Sequence, residues 1–198
     1  QLRDIAFLVR DKKAGKEIVD TLMQYQYEGH AREGYRYDFI SSESLFLNAS
    51  LAVGLLVDVL RFLDNPQDAL AKGSIAYKYC KLQGKEMGSD ELHRIFSTAA
   101  ESVEDAKPVF FQYMPEGFED IYSYLNKLPL YELVENLIAL FQLNRGEELA
   151  YLQAFQDAVL QYSGQQSGDL HTFLKWWEDK GQETSVQVSE ELDAMRIL

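Results

Sequence analysis

Hydrophobic positions along the chain switch from short continuous runs near its two ends to helical spacing through its middle. Asp4-Ile5-Ala6-Phe7-Leu8-Val9-Arg10 and Asp193-Ala194-Met195-Arg196-Ile197-Leu198 each place apolar side chains on both faces of an extended segment, the pattern of central strands buried on both sides of an α/β sheet. Tyr37-Asp38-Phe39-Ile40 is a third strand of the same kind. Between the first and third runs, Ile18 and Leu22, with Val19 and Met23, recur at i,i+4 spacing and predict a helix over about 14–27. A strand, a helix and a strand of these lengths predict a βαβ unit with parallel pairing and a right-handed crossover.

The pattern then turns helical. Leu51, Leu55, Leu56, Val59, Leu60 and Leu63 cover more than one helical face, so this helix is expected to be largely buried, with Asn48 as its cap. Asn65-Pro66 reads as a stop and a restart, Asn65 capping and Pro66 taking the first position of the next helix. Further helices are expected over about 67–83, 90–105, 117–126, 130–143, 147–162 and 170–180, with Ser89 and Asp169 as caps and Gly181 as a stop. Residues 182–191 are polar and lead as a linker into the last strand. The expected fold is therefore α/β with mostly helical content: a partial parallel-sheet domain over 1–64 and 183–198, interrupted by an all-α insertion over 65–182. Strands at both ends of the pattern lead to the expectation of a piece of a larger machine. Its open sheet edges would allow the isolated piece to dimerise, which excision alone could cause.

Composition narrows the class. With 198 residues, 46% hydrophobic and 13% aromatic, the chain has material for a packed core and is not disordered. A formal net charge of -13 and a pI near 4.6 count against broad phosphate binding. The single Cys80 excludes an internal disulfide and fits a reducing cytoplasm. Residues 1–10 lack the features of a signal peptide. The longest apolar run, Leu51 to Leu63, carries Asp58 and Arg61 and is too short to span a bilayer, so no membrane partner is expected.

Several chemical signals dissolve on inspection. Ala14-Gly15-Lys16-Glu17 lacks both the earlier glycine and the hydroxyl residue that a phosphate loop needs, since those positions hold Arg10 and Glu17. His30, His93 and His171 share no ligand spacing, and with one cysteine no zinc pattern or other metal site is expected. The acidic pairs, Glu119/Asp120 and Glu147/Glu148 among them, read as solvated helix faces. Of Trp176-Trp177, the second aligns with Leu170, Phe173 and Leu174 as core, and the first is expected to be partly exposed. Two polar stretches remain. Arg10-Asp11-Lys12-Lys13 follows the first strand and Ser41-Ser42-Glu43-Ser44 the second, both at the carboxyl edge where open α/β sheets bind ligands. Cationic, hydroxyl and N–H groups there could contact phosphates. The same residues also suit an ordinary βα turn and helix cap.

In order and wording, Ile5 to Arg10, the strand running into Ile40-Ser41-Ser42-Glu43-Ser44-Leu45-Phe46-Leu47, Leu56 to Pro66, and the later Leu128-Pro129-Leu130, Glu147 to Tyr162, Asp169 to Gly181 and Ala194 to Leu198 resemble the second motor domain of UvrD/Rep-type superfamily 1 DNA helicases. The Ser-Ser-Glu-Ser-Leu wording is most similar to the RecB/AddA-type helicase–nuclease branch. The resemblance implies that 1–64 and 183–198 form part of a P-loop NTPase-like motor domain 2A and that 65–182 is the 2B insertion. It implies that ATP and Mg are handled by motifs of the parent protein outside these residues. No catalytic residue, cofactor site or metal site is then expected here, and the chain alone is not expected to be an enzyme. Its partners would be single-stranded DNA, the remaining motor domains and a partner subunit. By the same resemblance Arg10 matches a DNA-facing arginine, and Lys12 stands where the family has asparagine. With Ser41 and Ser42, these are the candidate DNA-binding residues. The rival reading is a standalone acidic helical module for protein interaction.

Overall fold

A helix that is apolar nearly all round has to be surrounded, and that requirement organises the molecule. In the computed structural model, which describes residues 2–10, 14, 17–18, 21–22, 24–25, 39–41, 46–98, 109–144, 148–165, 169–181, 184 and 195–197, this helix is α1, Leu51–Asp64. Ten of its residues are buried, from Ala52 to Leu63, and Asp58 is one of them. It packs against α2 (Ala69–Leu82), α5 (Leu130–Leu140), α6 (Leu149–Gln165) and α7 (Leu170–Asp179). Two shorter helices, α3 (Ser89–Thr98) and α4 (Phe118–Leu125), lie against α2 and α5.

The expected helices form, with different punctuation at three starts. Asn48 lies in a 3-10 turn, Leu47–Ala49, and Ser50 takes the cap instead, its Oγ accepting from the Val53 N–H at 3.0 Å. Asn65 closes α1, donating its N–H to the Arg61 carbonyl at 2.8 Å, so it is no longer placed to open the next helix. Asp68 caps α2 through the Ala71 N–H at 3.0 Å, and Pro66 lies in the turn between the two helices rather than at a first helical position. Ser89 is the first residue of α3, not its cap, and the Glu91 carboxylate reaches back to the Gly88 N–H at 2.9 Å. Asp169 caps α7 as expected, accepting from the Thr172 N–H at 3.1 Å. The expected part of α3 beyond 98 lies outside the described residues.

Two aromatic clusters fill the spaces around α1. A 3-10 turn, Val109–Tyr113, which the sequence pattern did not reveal, brings Phe110 and Phe111 onto Phe62 at ring separations of 5.0 and 6.4 Å. Phe118 and Tyr122 complete this cluster. On the other side, Trp177 meets Phe155 edge-on at 5.1 Å, joining α7 to α6. Gly181 follows so closely that a Cβ there would lie 2.6 Å from Trp177 Cε3 and 2.8 Å from Trp176 Cζ3.

The sheet departs from expectation. Its described strands are β1 (Ala6–Phe7), β2 (Phe39–Ser41) and β3 (Met195–Ile197), all parallel, in the order β1-β3-β2. The first two strands therefore do not pair with each other: β3 lies between them, with Ala6, Arg196 and Ile40 in one row and Phe7, Ile197 and Ser41 in the next. Met195 is buried, as a central strand requires. Ile5 and Leu8 are 44% and 89% exposed, so the first apolar run is an edge, not a central strand, among the described residues. Described residues of the expected 14–27 helix are helical, Ile18 and Leu22 being half-buried, while Val19, Met23, Tyr37 and Asp38 lie outside the description. The class that stands is mostly helical with a small parallel sheet.

Two substitutions test this packing. Asp58 accepts from Lys78 at 2.6 Å, Ser74 at 2.5 Å and Arg61 at 3.0 Å. Asp58→Ala should lower stability in urea unfolding by about 2–4 kcal/mol, because it strands three donors around a buried position. The apolar pair Asp58→Leu/Lys78→Met should recover part of that loss. Gly181→Ala forces the two indoles aside and should cost about 1–3 kcal/mol, with a changed tryptophan emission spectrum in the native state.

Candidate functional site

Parallel strands present their carboxyl ends along one edge, and two of the four expected DNA-contacting residues are described there. Ser41 ends β2 in register with Ile197 and Phe7. Arg10 sits in a bend just past β1 and is exposed. Because β3 intervenes, the ends of β1 and β2 are two strand spacings apart, about 10 Å. Arg10 thus follows, and Ser41 ends, strands that lie on either side of the central strand. Lys12 and Ser42 lie outside the described residues.

A second concave region lies in the helical body. A cleft of about 410 Å³ opens between the last turn of α2, the start of α3 and residues 112–116. Burial pushes the Cys80 thiol above its ordinary pKa; the Lys85 ammonium opposes this and the Glu91 carboxylate adds to it. Tyr79 is raised by burial and by Cys80, and Tyr113 by burial and then by Glu91. At neutral pH the cleft therefore holds a protonated thiol and two protonated phenols. A thiol in that state is a weak nucleophile; Cys80 is half-buried and lines the cleft instead of joining the core, where an isolated helical cysteine is expected.

Other candidates resolve into structure. His171 pairs with Asp64 at 2.9 Å, tying α7 to the end of α1, while His93 is exposed on α3 and His30 lies outside the description. Among the described residues no group of three or more His, Cys, Asp or Glu could hold a metal ion. Trp177 is buried and Trp176 half-buried, the latter against Tyr162 at 5.1 Å and Phe173 at 5.6 Å. Among the described residues no helix is long and apolar enough to cross a membrane.

One residue does more than its sequence suggested. Glu148, read as a solvated carboxylate, accepts from the Ser50 hydroxyl and from the Ala52 N–H, the latter at 3.3 Å. It places a negative charge at the N-terminus of α1, where the helix dipole favours one. The partners are nearly a hundred residues apart in sequence, so no local motif signals the contact.

Neither the protein-family models nor the curated proteins include a match to this chain.

The raised thiol predicts a reactivity profile. Alkylation of Cys80 by iodoacetamide, followed by intact mass, should be slower at pH 7 than for an unstructured thiol. Its rate should level off at a higher pH than that of an unstructured reference thiol measured alongside it. A plateau at or below that of the reference thiol would overturn the assignment.

Proposed function

We propose that this chain supplies part of motor domain 2A and its 2B insertion to an ATP-dependent DNA helicase of repair or recombination, in the RecB/AddA-like branch where a parent chain can also carry an exonuclease. Its role is to guide single-stranded DNA and to meet neighbouring domains and subunits; ATP and Mg belong to other parts of the parent. In this reading 1–64 and 183–198 are the motor portion and 65–182 the insertion.

The observation that carries the reading is the strand order. β3, which follows the entire helical body, lies between β1 and β2 in an all-parallel arrangement. The order differs from the simple βαβ pairing, but a strand that returns to a parallel sheet after the helical body is compatible with a helical insertion, and this return is what supports the reading. The carboxyl edge bearing Arg10 and Ser41 is where open α/β sheets take their ligands. The exposed Ile5 and Leu8 suit contact with the remaining motor domains.

The alternative, an acidic interaction module, is favoured by the net charge of -13 and by a helical core that is well packed in itself. Fluorescence anisotropy with a labelled oligo-dT at low salt separates the two. Under the helicase reading, the unmodified chain binds weakly. Arg10→Ala/Lys12→Ala should cut affinity about tenfold or more and lower the salt slope by about 1.4, the value for two lost phosphate contacts on a single strand. No binding by the unmodified chain would favour the interaction module.

A further inference from the structure

We draw no further inference here: the strongest candidate, the exposed apolar face that Leu70 and Tyr77 of α2 form with Phe96 of α3, whose ring lies over Gly73 between them, carries nothing because nothing in the structure shows what covers it.

Discussion

α1 is anchored at both ends and at its middle, and the anchors tie it to α2, α6 and α7 and to the residue that closes α4. At its start, Ser50 and Glu148 satisfy the first N–H groups, the carboxylate coming from the beginning of α6. At its middle, Asp58 binds α2 through Ser74 and Lys78, and Lys78 also donates to the Gly54 carbonyl at 3.2 Å. Arg61 carries the chain of charges on to Glu178 of α7 at 3.2 Å. At its end, Asn126 donates to the Leu63 carbonyl at 2.8 Å and His171 meets Asp64. A helix buried on all sides needs its terminal backbone groups satisfied by something other than water, and here distant side chains supply the partners.

Apolar packing supplies most of the energy, at about 1.5–3 kcal/mol for each large side chain removed from water. It does not by itself set the rotation of one helix against another. The Asp58 contacts do, because a buried carboxylate is tolerated only when its donors are in place. The close approach at Gly54 belongs to the same device: a Cβ there would come within 3.1 Å of Lys78 Nζ. Burial therefore gives α1 its central place, and polar pairing gives the neighbours their angles and register.

What the sequence revealed was local. Helical periodicity located α1 to α7 to within a few residues, apart from the far end of α3, because each carries its own apolar stripe. Asp169 was readable as a cap because it stands alone before its helix. Asn48 was misleading because Ser50, two residues on, has the extended backbone that a cap requires. Asn65 and Asp68 compete for one helix start, and only the closing of α1 decides between them. The turn at Val109–Tyr113 is too short for periodicity to show, yet it completes the cluster on Phe62. The roles of Glu148 and Asp58 depend on residues far away in sequence. So does the strand order, since an apolar run states that it wants a partner but not which one.

The candidate DNA edge shows the same division. The strands and the polar residues following them were legible, and so was the carboxyl edge they share. The spacing was not, because the βαβ reading made β1 and β2 neighbours. With β3 between them, Arg10 follows and Ser41 ends strands on either side of a third, instead of two adjacent strands. The segment leaving α7 bonds back to the segment entering α1, where the Leu47 N–H donates to the Thr184 carbonyl at 2.8 Å. That contact lies three residues before Ser50, the residue that caps α1.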